Sequence, residues 1–113
     1  MKQNKINDIK LNTTNYIKVL GDTQFNKIIL FLIENKRTDW SIKEISNYCN
    51  ITELSVNKII NNLLNYDIVR YVKHKDNKLV NGYKINLKNQ IAFSLAELSN
   101  SINYYVINKS LKK

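Results

Sequence analysis

Apolar residues recur along most of this chain at helical spacing. Phe25, Ile28, Ile29, Leu32 and Ile33 fall at i, i+3, i+4, i+7 and i+8, which predicts a helix with a single apolar stripe. Asp22 is suited to cap that helix. It is expected to run to Lys36 or Arg37, where positive charge suits a helix C-terminus. Upstream, Thr13 or Thr14 can cap a short helix bearing Tyr16, Ile17 and Leu20, which Gly21 would end in a left-handed turn. Thr38-Asp39-Trp40 has room only for a turn or a brief strand. Ser41-Ile42-Lys43-Glu44 then matches a capping box, opening a short helix with Ile42, Ile45 and Cys49 inward that stops near Asn50. Ile51 is an apolar residue inside the turn. Thr52 caps the next helix, whose inner stripe is Val56, Ile59, Ile60 and Leu63, and whose outer face holds Glu53, Ser55, Asn57, Lys58, Asn61 and Asn62.

The period then changes. Residues 68–73 and 79–87 are rich in Val, Tyr, Ile and Leu with partial alternation, and the charged turn-former run 74–78 separates them, which predicts a β-hairpin with a basic tip. Gly82 marks a bulge or a close approach in the second strand. Asn89 can cap a last helix. Along it Ile91, Leu95, Leu98, Ile102 and Tyr105 are spaced 4, 3, 4 and 3, a heptad-like seam longer than one small domain needs to cover itself. The predicted fold class is therefore mostly α with a small β-hairpin. A basic arm and short helix occupy 1–20, a central domain 21–88, and a final helix 89–113 that belongs to the same unit.

Composition narrows what such a domain can do. With 113 residues, 43% hydrophobic and 24% charged, the chain suits one soluble domain with one core. Its longest apolar run, residues 28–33, is far short of the roughly 20 residues of a membrane span, so no membrane association and a cytoplasmic location are expected. Two glycines allow no glycine-rich phosphate loop. One histidine, His74, and one cysteine, Cys49, leave no metal cluster or internal disulfide, and no two carboxylates lie within a helical turn of each other. No enzyme, metal or cofactor is expected. Cys49 reads as a small core residue and His74 as a surface residue.

Charge changes the picture more. Eighteen Lys and Arg against nine Asp and Glu give +9, a balance that favours a polyanionic partner. Part of the lysine can reflect an AT-rich genome, since the chain also holds many Asn and Ile and no Pro. Genome bias, however, spreads lysine evenly, whereas residues 70–88 alone carry net +5 and residues 22–69 net −1. Two helices joined by a short turn and followed by a hairpin form a winged helix-turn-helix, whose second helix enters the DNA major groove. Asparagine can bond adenine there twice, and hairpin lysines can neutralise phosphates.

With those elements in order, the chain resembles the winged helix-turn-helix transcriptional regulators of the MarR and ArsR type, especially small archaeal ones. The resemblance spans roughly residues 20–105. It rests on Gly21-Asp22-Thr23, Leu32-Ile33-Glu34-Asn35, Trp40-Ser41-Ile42-Lys43-Glu44-Ile45-Ser46, Asn50-Ile51-Thr52 through Asp67-Ile68-Val69, and Tyr83-Lys84-Ile85-Asn86 leading into Asn89-Gln90-Ile91. It implies a recognition helix at 52–66, a wing at 70–82 and a final helix that builds a two-fold dimer. Sequence-specific binding of double-stranded DNA as a homodimer is the expected function. Thr52, Glu53, Ser55, Asn57, Lys58 and Asn61 are the candidate reading residues, and Ser41, Lys43, Lys73, Lys75 and Lys78 the candidate phosphate contacts. Ile91, Leu95, Leu98, Ile102 and Tyr105 are the candidate dimer interface. Asn50 and Asp67 stand where the family usually has Gly, and Glu53 makes the helix-turn-helix near neutral, so arm and wing must supply more of the attraction. The alternatives are a DNA-binding component of plasmid or viral maintenance and a winged-helix module for protein–protein contact. No motif implies a small-molecule inducer.

Overall fold

A computed structural model describes residues 15–73 and 81–111. Among them are five helices and one antiparallel hairpin: α1 (15–20), α2 (Gln24–Glu34), α3 (Ile42–Cys49), α4 (Glu53–Asn65), β1 (Val69–Lys73), β2 (Asn81–Ile85) and α5 (Gln90–Leu111). The fold is mostly helical with a small hairpin, as expected. The basic arm, the Thr13 or Thr14 cap and the hairpin tip with His74, Lys75 and Lys78 lie outside the described residues.

Gly21 leaves α1 at a positive φ of 113°, and its N–H donates back to Ile17 O at 2.8 Å. The residue that caps α2 is Thr23 rather than Asp22. Thr23 is extended, and its Oγ1 accepts the Asn26 N–H at 3.0 Å, while the Asp22 carboxylate pairs with Lys27 Nζ at 3.3 Å. The helix also stops earlier than Lys36. Asn35 bonds back to Phe31 O with both its Nδ2 at 2.8 Å and its N–H at 3.1 Å, and the Asn35 carbonyl accepts the Trp40 indole N–H at 3.2 Å, turning the chain toward the sheet. Phe25, placed on the inner stripe by spacing, is exposed at the first turn; the buried run is Ile28 through Ile33.

The capping box at α3 is complete. Ser41 Oγ accepts the Glu44 N–H at 3.1 Å, and Glu44 Oε1 accepts the Ser41 N–H at 3.0 Å. Asn50 ends α3 in left-handed geometry (φ 57°), which Asn tolerates better than other side chains. Ile51 then turns inward, its N–H bonded to Ser46 O at 3.1 Å and its carbonyl accepting the Ser46 hydroxyl. Thr52 caps α4, and Val56, Ile60 and Leu63 are its buried stripe, with Ile59 half-buried.

At the far end of α4, Asp67 also adopts a positive φ of 58°. Its N–H reaches Leu64 O at 3.1 Å and the Ile68 N–H reaches Leu63 O at 3.0 Å, the paired bonds of a Schellman motif. A side chain there is held in a conformation glycine adopts freely. Asp67→Gly should therefore raise stability by about 1 kcal/mol, read as a higher urea midpoint with an unchanged slope.

The hairpin register runs without a bulge from Val69↔Ile85 to Lys73↔Asn81, and Trp40 adds an isolated bridge to Tyr83. Of the two readings of Gly82, close approach is the observed one: a Cβ there would lie 1.7 Å from Asp39 Oδ2. One core joins every helix to the base of the hairpin, from Tyr16 through the α2 run, Trp40, Ile45, Val56, Ile60, Val69 and Ile85 to Ala92 and Ile102. At its centre the rings of Phe31, Trp40 and Tyr48 meet with centroids 5.0–5.6 Å apart. Asn89 caps α5 as expected, its Oδ1 accepting the N–H groups of Ile91 and Ala92, while its Nδ2 holds Tyr66 O at the end of α4.

Candidate nucleic-acid interface

A helix places residues four, three and four apart on one line. On α4 the line opposite Val56, Ile60 and Leu63 is Leu54, Lys58, Asn61 and Asn65, all exposed, with Asn57 and Asn62 exposed on either flank. Three of the six candidate reading residues, Asn57, Lys58 and Asn61, therefore share a surface about one turn long. Glu53 and Thr52 stand exposed at its leading end, where Thr52 is also the cap. Ser55 is half-buried. Its N–H and hydroxyl both contact Thr52 Oγ1, at 3.3 and 3.0 Å, so its polar groups are already engaged at the helix start.

Leu54 is absent from the candidates because polarity divides α4 into an inner and an outer stripe and gives a leucine between them no role. It is 68% exposed and points away from the core. The helical phase carries the signal, since Leu54 precedes Lys58 by one turn and Asn61 by two. An exposed apolar side chain on a reading helix is suited to a thymine methyl group.

Of the candidate phosphate contacts, Lys43 is exposed on α3, whereas Ser41 is half-buried with its hydroxyl and N–H committed to the capping box. Lys73 is exposed at the end of β1, one residue before the undescribed tip. Edge-to-face packing of Tyr71 on its cross-strand partner Tyr83, ring centroids 5.7 Å apart, supports the hairpin behind it. Cys49 is out of reach of this surface's chemistry: burial pushes its thiol up to about 12, against a smaller opposing pull from Lys27, so it stays protonated at neutral pH.

The proposed seam on α5 is split by the fold. Ile102 is buried and Leu95 half-buried in the chain's own core, beside Ala92, Ser99 and Val106. Ile91, Leu98 and Tyr105 remain exposed on the flank of that contact. Val19 and Leu20 of α1 are exposed as well. Among the described residues no group of three His, Cys, Asp or Glu side chains could hold a metal ion, and no helix is long and apolar enough to cross a membrane.

No family model and no curated protein matches this chain. Solved structures do. A mutant of S. aureus MepR bound to oligodeoxyribonucleotide is similar with a TM-score of 0.64 at 12% identity, over 95% of this chain and 76% of that one. The transcriptional regulator BldR from Sulfolobus solfataricus is similar with a TM-score of 0.58 at 14% identity, over 95% and 73%. The adhesin competence repressor AdcR from Streptococcus pyogenes is similar with a TM-score of 0.58 at 17% identity, over 99% and 83%. Bacterial and archaeal proteins match comparably well, so the likeness singles out no archaeal subtype. At these identities what is shared is architecture: the chain has the winged helix-turn-helix fold of these transcriptional regulators.

Proposed function

We propose that this protein is a transcriptional regulator that binds double-stranded DNA in a sequence-dependent manner as a homodimer, with α4 in the major groove and the wing on the flanking backbone. It acts by binding, with no catalytic step. The observation that carries this reading is the outer line of α4. A helix of 13 residues, about 20 Å long, presents Leu54, Lys58, Asn61 and Asn65 to solvent and packs none of them. Methyl contact, phosphate or guanine contact, and adenine recognition are all available from that set. The likeness to a MepR variant bound to oligodeoxyribonucleotide supports the same reading, as does the net charge of +9. The apolar residues left exposed on α5 and α1 support the dimer.

Selection of bound fragments from random DNA, followed by gel shifts on the selected site and on scrambled duplex, tests it. Lys58→Ala, Asn61→Ala and Leu54→Ala should each cost about 1–3 kcal/mol on the selected site and little on scrambled DNA, provided each touches a base. Equal losses on both duplexes would move that residue to the backbone. Absence of any selected site would favour the protein–protein module instead.

A further inference from the structure

Part of the positive charge in residues 70–88 is gathered at one place among the described residues. Arg70, Lys84 and Lys88, half of its basic residues, line a cleft at the base of the hairpin together with Lys36, which follows α2. The cleft holds about 550 Å³, and Ile85, Asn86 and Leu87 complete its wall. Asn86 bonds to the carbonyls of Asp67 and Ile68, at 3.0 and 2.8 Å, so this wall is fastened just beyond the C-terminal end of α4. The leading end of α4 is the whole helix away, about 20 Å.

Arg70 and Lys84 are direct cross-strand partners on the sheet face opposite buried Val69 and Ile85. Like charges facing each other across an antiparallel pair destabilise it. The ion pair of Lys27 with Asp22 involves none of the four cations. An anion seated between them would turn that repulsion into attraction, and guanidinium forks phosphate oxygens in two parallel bonds. The shape also discriminates: a concave site of this volume with apolar wall residues suits a small molecule.

We propose that this cleft binds a small ligand carrying two or more adjacent phosphate groups, either a nucleotide or inorganic pyrophosphate. Arg70 and Lys84 hold the phosphates, Lys36 and Lys88 add charge at the rim, and half-buried Leu87 is the apolar surface beside them. The proposal does not rest on the DNA-binding reading.

Calorimetric titration of the full chain with orthophosphate, pyrophosphate and ADP tests it, on the unaltered protein, Arg70→Gln/Lys84→Gln, and Lys73→Gln as a charge control. Pyrophosphate and ADP should bind one per chain, at least tenfold tighter than orthophosphate. The double variant should lose at least tenfold and the control less than twofold. Tighter binding of ADP than of pyrophosphate identifies a nucleotide, and equal binding the inorganic ligand. Because the double variant relieves repulsion, its melting temperature without ligand should be unchanged or higher, so lost binding is not lost folding. Undiminished affinity in the double variant, or orthophosphate binding as tightly as pyrophosphate, overturns the proposal. So does a double variant that keeps ADP binding while the slope of log K against log salt for DNA falls by about 0.9 per charge removed, which would make the cleft a DNA backbone contact. Failure of the unaltered chain to bind DNA would overturn only the reading in the preceding subsection.

Discussion

Trp40→Ala should lower the unfolding free energy by about 3–5 kcal/mol, the range for emptying a large aromatic site. That is a large share of the roughly 5–15 kcal/mol that holds a typical domain together. Trp40 is 1% exposed and sits where three elements meet. Its ring packs edge-on against Phe31 of α2 and Tyr48 of α3, its indole N–H holds the Asn35 carbonyl that ends α2, and its backbone bridges to Tyr83 of β2. Removal leaves a cavity and also strips the Asn35 carbonyl of this partner, which adds a desolvation cost. Because Trp40 is the sole tryptophan, the measurement is urea unfolding followed by far-ultraviolet circular dichroism. A loss below about 1 kcal/mol would mean that the sheet and helices are joined elsewhere.

Leu98→Glu should convert a dimer to a folded monomer. Leu98 is 40% exposed and borders an apolar groove of about 430 Å³ with Ile91, Leu95, Gln90 and Ser94 of α5. In a two-fold contact one substitution places a carboxylate on each side, and burying an unpaired charge costs several kcal/mol. Ile102→Ala is the complementary variant. Ile102 is 8% exposed inside the chain's own core, so its truncation should destabilise the monomer by about 2–5 kcal/mol. Light scattering reads the mass, and circular dichroism reads the fold. A Leu98→Glu protein that unfolds, or an unaltered protein that is monomeric at micromolar concentration, would remove the dimer from the functional reading.

Much of the helix-turn-helix was legible residue by residue. Ser41 and Glu44 form the capping box, Thr52 and Asn89 cap their helices, Asn50 takes the left-handed turn and Asp67 closes α4 at positive φ. Each of these is a bond or a backbone conformation set within about five residues, so the local sequence contains its cause. The two ends of α2 depart from expectation because local rules there have competitors. Asp22 and Thr23 both can cap, and the choice went to the residue whose oxygen faced the Asn26 N–H, while Asp22 found Lys27. At the early stop after Glu34, Asn35 bonds back to Phe31 through its side chain and takes the Trp40 indole on its carbonyl, neither of which helical periodicity signals.

Sequence alone determined the order of the elements, the identity of α3 and α4 as a helix pair with a tight turn, the hairpin and the polar outer face of α4. Periods of 3.6 and 2 and short-range caps suffice for these because they involve neighbours along the chain. Tertiary structure decided two things that periodicity leaves degenerate. It divided the apolar face of α5, where small Ala92 and Ser99 are buried beside Ile102 and leave larger Ile91 and Leu98 outside. It also opposed Arg70 to Lys84 by cross-strand pairing and gathered them with Lys36, more than thirty residues earlier, in one cleft. Side-chain direction on a helix and charge proximity across a sheet depend on which distant segment packs against them, and that is settled only when the chain closes on itself.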